Sequence, residues 1–477
     1  MDARADRTAI PLAVDLDGTL IATDLLWEGL FALLRKNPLY LFLVPFWLAG
    51  GPAKLKQAIA DRVDIDPEAL PYRQDLLARL RADHADGRKL VLATGTPRKF
   101  AEAIAAHLGV FDAVLATEGG ENLTSAKKRA ALVAAYGDGG FDYAGNSRHD
   151  VAVFDAARAA IVVAPDRKAA LWQSAHGSEI MPAPRRSLKS ILKMLRVHQW
   201  AKNTLIAVPM VLSHEYLNAA MIVQCVFAFI SFSAVASAIY IVNDFFDLAL
   251  DRKHPTKCRR PFASGVLSIP FGLASICVLL AIGIGAGLLV SWPFMGVLAA
   301  YIVTTTAYSL TLKRMLLIDV LTLAGLYTVR VIAGAAATGV GVSFWLLAFS
   351  MFFFLSLALV KRYVELGLPS LTPGERIAGR GYRSEDREVV AQAGMASAFS
   401  SALVLALYMD SDAVRELYPN PWMVWPLAPI VLYLTMRVWI LGRRGEMHED
   451  PVVFIISDWR SQIVIGLGAV LLVIGGW

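Results

Sequence analysis

Cysteine is scarce in this chain and charge is thin. Only Cys225, Cys258 and Cys277 occur among 477 residues. They show neither metal-ligand spacing nor a pairing pattern, which excludes a disulfide scaffold and a thiolate metal site. Charged residues make up 18% against 56% hydrophobic, and the mean hydropathy is +0.52. That balance excludes a wholly soluble protein. The first apolar run is short and soon meets Asp15 and Asp17, so no signal peptide is expected at the N-terminus. Net charge is +6. The basic residues cluster beside apolar runs, so they read as topology signals and phosphate ligands, and no nucleic-acid partner is expected.

The apolarity is uneven. Residues 1–190 read as a soluble domain, and long apolar runs dominate the remainder. In the soluble part, short apolar stretches at 11–15, 89–95, 112–116, 141–146 and 160–164 alternate with helical patterns. This predicts a parallel, doubly wound α/β sheet with its site at the strand C-terminal ends. The first stretch ends in DLDGT, with Asp15 and Asp17, and the second in Thr94 and Gly95. Lys128 follows, then GNSRHD with Asn146 and Asp150.

In that order these motifs resemble the haloacid dehalogenase (HAD) superfamily of phosphatases. The resemblance implies a Rossmann-like fold with a helical cap. Asp15 would be the nucleophile, Asp17 the general acid/base, and Thr94 and Lys128 the holders of the phosphoryl oxygens. Asp150 would help Asp15 hold Mg²⁺, with Asp17 and Asn146 beside it. Asn146 stands where the family often has a carboxylate, and Lys127 is an alternative to Lys128. The bland alternative keeps the fold and loses the chemistry. An insertion at about 24–85 is the cap, and its run LYLFLVPFWLA at 39–49 is too short to span a bilayer. It suits either an interfacial segment or a helical cap packed on the core.

In the second half, a linker and approach helix with Arg185, Arg186, Lys189 and Lys193 leads to apolar segments. These lie at about 204–214, 219–242, 268–290, 292–311, 316–338, 343–361, 389–409, 422–441 and 461–477, giving about nine spans. Lys and Arg alternate between loops, which predicts the soluble domain and basic loops in the cytoplasm and the C-terminus outside.

The polar constellations sit at the basic ends. Asn243, Asp247 and Asp251 are spaced four apart and share a helix face, with Asp244 beside them. Oxygen ligands of this kind suit Mg²⁺ and, through it, a diphosphate. Lys253, Lys257, Arg259 and Arg260 suit further phosphate groups. Tyr308, Lys313 and Asp319 follow another span, Arg330 lies inside an apolar segment, and Lys361 and Arg362 end the next. Taken singly, such cations are membrane-boundary anchors; together with the acidic motif they point to an anion-and-metal site.

The NDxxDxxxD string, the YxxxxKR element and the helix number resemble the UbiA-type intramembrane prenyltransferase superfamily over roughly 190–477. That resemblance implies an all-α polytopic bundle in which two acidic motifs bind Mg²⁺–diphosphate. Asn243, Asp244, Asp247 and Asp251 match the first motif. Asp319 matches the second, with Leu323 where a second carboxylate usually stands. More narrowly, RVHQWAKN (Arg196, Gln199, Lys202, Asn203), the His254–Pro261 loop and Glu449–Asp450 are similar to decaprenyl-phosphate phosphoribosyltransferases.

This similarity implies 5-phosphoribose 1-diphosphate (PRPP) as donor, a polyprenyl phosphate as acceptor and Mg²⁺ as cofactor. The fused phosphatase would then remove the 5-phosphate from the product. One alternative is prenyl transfer to an aromatic acceptor, with Phe245 and Phe246 near the cation. Another is a non-catalytic membrane anchor for the phosphatase. The expected organisation is 1–175 phosphatase, 176–195 linker and 196–477 transferase, integral to a bacterial inner membrane. The lipid bilayer is a partner, and self-association stays open.

Overall fold

The computed structural model describes residues 8–119, 122–183, 186–367, 380–411, 414, 418–447 and 450–476. Arg185 and Glu449 lie outside the described residues. The chain divides into two compact units, one of residues 1–195 with 241–275 and the other of 196–240 with 276–477.

The first unit is built on six strands: β1 (Leu12–Val14), β2 (Leu90–Pro97), β3 (Ala113–Thr117), β4 (Asp142–Gly145), β5 (Ala160–Val163) and β6 (Glu179–Met181). Their order is β3-β2-β1-β4-β5-β6, and every pairing is parallel. The period-two geometry of a strand sends neighbouring residues to opposite faces. Leu12, Val14, Leu90 and Leu92 enter one core, and Ala13, Val91, Ala93 and Tyr143 the other. Both faces are buried, which explains the near-continuous apolar runs. β6 falls inside the stretch expected to be linker. The strand order reverses beside β1, whose far neighbour is β4, so the crevice at their C-terminal ends is the expected place for a ligand.

The cap opens with helix Leu25–Lys36, whose N-cap Asp24 accepts from Leu26 N. A 3-10 turn (Pro38–Phe42) and a short helix (Val44–Ala49) follow, then Pro52–Ala60. The same unit takes in the end of helix Ala219–Phe246, the short helix Leu248–Lys253 and the loop reaching Ile269.

The second unit is helical. Across the described residues, seven helices are long and apolar enough to cross a membrane: Ala219–Phe246, Ile269–Leu288, Trp292–Leu310, Ile318–Thr338, Phe344–Leu366, Ser384–Met409 and Pro421–Arg443. An eighth crossing is available if Pro451–Ser457 and Trp459–Gly475, bent by 79°, form one span. The first expected segment, 204–214, is no long α-helix, and the count of about nine is corrected to seven or eight among the described residues. It continues a 3-10 helix, Val197–Ala207, into the five-residue helix Val208–Leu212.

A 3-10 helix rises about 2.0 Å per residue, so this run still covers roughly 30 Å. It packs closely on helix Ile318–Thr338, where a Cβ at Gly334 would lie 1.9 Å from the Ile206 carbonyl oxygen. His214, just beyond it, packs edge-on to Tyr418 with ring centroids 4.8 Å apart, and Gly476 lies against the His214 ring. The end of the described chain therefore sits at the same end of the bundle as the loops near 215 and 418.

Candidate functional sites

In the first unit, Asp15 leaves β1 at the reversal of strand order. Its Oδ1 accepts from Lys128 Nζ at 2.7 Å and its Oδ2 from Thr19 Oγ1 at 3.1 Å. Lys128 also reaches Asp150 Oδ1 at 3.2 Å, so one buried ammonium bridges two carboxylates. Asp150 accepts further from Tyr143 OH (2.6 Å), Ser147 Oγ (2.9 Å) and two backbone amides. Both its oxygens are thus engaged, and Asp150 holds Lys128 beside Asp15 in this structure. Glycine is required at 145, because a Cβ there would lie 2.9 Å from the Asp150 side chain.

Burial pushes the Asp15 carboxyl up to about 7, against the pull of Lys128. Burial would likewise raise Asp150, but Lys128 and its hydrogen-bond donors outweigh it and hold that group below the usual carboxylate value. Burial alone would lower Lys128; the two carboxylates outweigh it and hold the ammonium above the ordinary lysine value. Asp17 accepts from Leu25 N at 2.8 Å and from Thr96 Oγ1 at 2.5 Å. Burial, reinforced by Asp24, lifts it to about 6. That value suits proton transfer near neutrality.

Thr94 is buried and accepts from Thr96 N at 3.1 Å. Thr96, Tyr143 and the cap residue Lys56, which donates to the Gly95 carbonyl at 2.8 Å, are participants that the motifs did not single out. Mg²⁺ fits this donor set. Asp15, Asp17 and Asn146 offer hard oxygens, and a carboxyl raised by burial is stabilised as its anion by a cation. The Asn146 amide lies over Gly18, where a Cβ would come within 2.1 Å of Nδ2.

The acidic motif of the first unit is bent. The long helix ends at Phe246 and the next begins at Leu248, with Asp247 between them. Helical hydrogen bonds persist through the break, from Asp247 N to Asn243 O (3.0 Å) and from Asp251 N to Asp247 O (2.8 Å). The buried pair is Asp244 with Asp251, bridged by one Arg260 nitrogen at 3.1 and 2.6 Å. Asn243 and Asp247 are half-buried, and Lys257 and Arg259 are exposed on a 3-10 turn. Arg260 stands where a cation is held between carboxylates, so the donor set fits Mg²⁺. Among the described residues no three His, Cys, Asp or Glu side chains converge as a ready cage. This agrees with the habit of Mg²⁺ to take one or two carboxylates and draw the rest from substrate phosphate and water.

The second unit holds a buried cation cluster. The 3-10 helix Val197–Ala207 has three residues per turn, so residues three apart stack in rows. One row takes Trp200 to Ser237 at 3.0 Å and Asn203 to Ser233 at 2.9 Å; both serines lie on helix Ala219–Phe246. The row beside it carries Gln199 and Lys202, and Arg196 precedes the helix with a left-handed backbone (φ +51°). Arg196 lies 4.8 Å over the Tyr240 ring, and Gln199 is half-buried.

Lys202 donates to Asp450 Oδ2 at 2.8 Å, Lys361 to the same oxygen at 3.2 Å, and Tyr327 OH to Oδ1 at 2.8 Å. Arg330 bonds Asn203 Oδ1 at 2.8 Å and the Leu326 carbonyl. Asp319, expected as a metal ligand, is fully buried 2.7 Å from Arg362 and accepts from Tyr382 OH at 2.7 Å. Arg362 also pairs with Glu365. Asp319 and Arg362 therefore serve each other as counter-ions in this structure. Tyr308 OH accepts from Arg380 at 2.9 Å, and Lys313 is the half-buried middle residue of the 3-10 turn Leu312–Arg314 that follows.

Among the described residues, five cations (Lys202, Arg330, Lys361, Arg362 and Arg380) gather about three carboxylates (Asp319, Glu365 and Asp450). Asp450 is a central residue to which the sequence motifs assign no role. Its signal is an acid directly before Pro451 at a helix start, where its Oδ1 caps Val452 N.

The UbiA prenyltransferase family model matches residues 204–457, and that of the haloacid dehalogenase-like hydrolases matches residues 12–155. An uncharacterized protein, y4nM of Sinorhizobium fredii, is 37% identical over 95% of this chain and 89% of its own length. Nodulation protein NoeC of Azorhizobium caulinodans is 32% identical over 58% of this chain and 91% of its own. A decaprenyl-phosphate phosphoribosyltransferase of Mycobacterium tuberculosis is 34% identical over 40% of this chain and 64% of its own.

Proposed function

The chain belongs to the UbiA prenyltransferase family and carries an N-terminal haloacid dehalogenase-like hydrolase domain; on that premise we propose that it moves 5-phosphoribose from PRPP to a polyprenyl phosphate. The hydrolase domain then removes the 5-phosphate. The observation that carries this reading is the gathering, among the described residues, of Lys202, Lys361 and Arg330 about the single carboxylate of Asp450. Buried charge of one sign is costly unless an opposite charge arrives, and a substrate with three phosphorus atoms supplies it. The similarity to the mycobacterial phosphoribosyltransferase supports the same substrate class.

In the transfer, Lys202, Lys361 and Arg330 bind phosphate oxygens, and Asp450 holds the two ammonium groups in register. Asn243, Asp244, Asp247 and Asp251 would hold Mg²⁺, which when bound neutralises a departing diphosphate. Arg260 leaves its carboxylates to meet phosphate. The acceptor phosphate is already ionised at neutral pH, so it attacks the anomeric carbon without a strong base.

In the hydrolase, Asp15 attacks phosphorus and the bond to the ribose oxygen breaks. Asp17 gives that oxygen its proton, then takes one from the water that hydrolyses the aspartyl-phosphate. Lys128, held by Asp150 and Tyr143, steadies the phosphoryl oxygens. A tethered phosphatase meets its substrate at high effective concentration and draws the transfer forward.

The clustering of Lys and Arg in alternate loops supports a bacterial inner-membrane location with those loops and the hydrolase domain cytoplasmic and the C-terminus outside. The prenyl-transfer alternative gains little from Phe245, which is buried between Phe31 and Phe262 at 4.9 and 4.8 Å.

The test supplies ribose-labelled PRPP, a polyprenyl monophosphate and Mg²⁺ to the protein in nanodiscs, with mass spectrometry of the lipid. Labelled lipid without the 5-phosphate is the expected product. Labelled lipid retaining it would remove the hydrolase step, and no labelled lipid would remove the transfer.

A further inference from the structure

The phosphatase cavity has a wall that does not come from the α/β fold. Its volume is about 790 Å³, and its lining passes from Asp15 and Lys128 to Phe262, Gly265, Val266 and Pro270. The first three of these last four belong to the loop that follows the acidic motif and Pro270 to the first turn of helix Ile269–Leu288, all in the transferase part of the sequence. Several contacts hold that loop. Gly265 has φ +71°, and a Cβ there would lie 2.5 Å from the Ala22 Cβ and 2.8 Å from the Ala22 carbonyl oxygen. Ala22 directly precedes Thr23, whose carbonyl accepts from Gly18 N in the turn carrying Asp17. Arg252 donates to the Ala263 carbonyl at 3.0 Å and to Glu28 of the cap at 2.6 Å, and Lys253 meets Asp66 at 2.5 Å.

The cavity is therefore charged on its floor and apolar on this wall. We infer that residues 262–270 form the specificity wall of the phosphatase, selecting an amphiphilic phosphate monoester. Its phosphate rests on Lys128 and Asp15, and its apolar portion lies against Phe262 and Val266. This rests on the lipid-linked substrate proposed above and adds the residues that choose it.

The test compares kcat/KM for ribose 5-phosphate and for octyl riboside 5-phosphate on the full chain in nanodiscs. The expected result is a preference of tenfold or more for the octyl ester, cut at least fivefold through KM by Val266→Asp. Val266→Ser gives the same reading if the first variant does not fold. No preference in the parent protein, or a ratio within twofold in the variants, overturns the wall. If the sugar assignment alone is wrong, neither riboside is cut, while octyl phosphate is still preferred over methyl phosphate and loses that preference in the variants.

A second surface stands independently. On the turn Pro38–Phe42 and the helix Val44–Ala49, the side chains of Leu39, Leu41, Phe42, Leu43, Phe46 and Leu48 all face outward, Phe42 and Phe46 being 71% and 72% exposed. Tyr40 and Trp47 turn inward, with Trp47 under the Arg62 guanidinium at 4.9 Å. No acidic residue occurs between Glu28 and Asp61, whereas Arg35, Lys36 and Lys54 flank the apolar knob. We propose that this knob docks on a lipid bilayer, apolar tip in the acyl boundary and cations among anionic headgroups. The spans of the same chain keep a bilayer present.

The test replaces the three cysteines by serine and places a bimane at Phe46→Cys in nanodiscs containing brominated lipids and anionic phosphatidylglycerol. Strong quenching is expected. An unquenched, water-exposed label overturns the docking, as does a label buried only as protein concentration rises, which would mark a second copy as the occupant.

Discussion

Arg252 grips Glu28 through two nitrogens, at 2.6 and 3.1 Å, with both side chains more than nine-tenths buried. One residue follows Asp251 of the acidic motif, and the other lies on the first helix of the phosphatase cap, where Thr23 also donates to it at 2.6 Å. Removing one partner leaves a buried charge alone. Glu28→Ala is expected to destabilise the first unit by about 3–5 kcal/mol. Thermal unfolding of the single and double variants checks this, with the double Glu28→Ala/Arg252→Ala costing less than the sum of the two.

Asp15→Asn should lower phosphatase turnover by about a thousandfold or more, because the nucleophile is gone while the binding cations remain. Transfer from PRPP should persist, and the product should now accumulate with its 5-phosphate. Mass spectrometry of the lipid reads both effects in one experiment.

Asp450→Asn leaves Lys202 and Lys361 without the carboxylate that both contact. The two ammonium groups then repel and lose their register. A drop of roughly 100-fold in kcat/KM for PRPP is expected, equivalent to about 3 kcal/mol of lost transition-state stabilisation. Phosphatase activity on a soluble ester should be retained, which separates this effect from general unfolding.

Chelation of divalent ions should stop both reactions, and added Mg²⁺ should restore them. Ca²⁺ should restore less, since its larger radius and higher coordination number suit a two-carboxylate, phosphate-completed site poorly. Parallel assays of transfer and hydrolysis across the metal series measure this.

Much of the hydrolase was legible in sequence because its motifs fall at strand ends. Asp15, Thr94 and Asn146 each follow an apolar run, and a parallel sheet brings such ends together. Lys128 and Asp150 were legible by motif order, but the hydrogen bonds around Asp150 were not. They come from Tyr143 and Ser147, which supply Asp150 with donors that Asp15 lacks.

In the bundle, Lys202 and Asp450 stand 248 residues apart, and no local pattern announces their contact. The Asp319–Arg362 pair was hidden for the same reason: each residue read alone as a ligand for something else. The 3-10 winding of Val197–Ala207 was invisible too, since RVHQWAKN places its polar residues plausibly on either kind of helix.

That winding makes the segment behave like a drawn spring. Eleven residues wound at three per turn are about 5 Å longer than the same residues wound as an α-helix, and each residue is turned by about 20° more. Rewinding would swing Ile206 about 120° away from the row it shares with Trp200, and would pull Lys202 along the axis away from Asp450. The hydrogen bonds from Trp200 and Asn203 to serines on the neighbouring helix, and from Arg330 to Asn203, are the pegs that keep it extended. Asn203 is thus a tuning peg for the pitch at which the lysine is presented, although it carries no charge of its own.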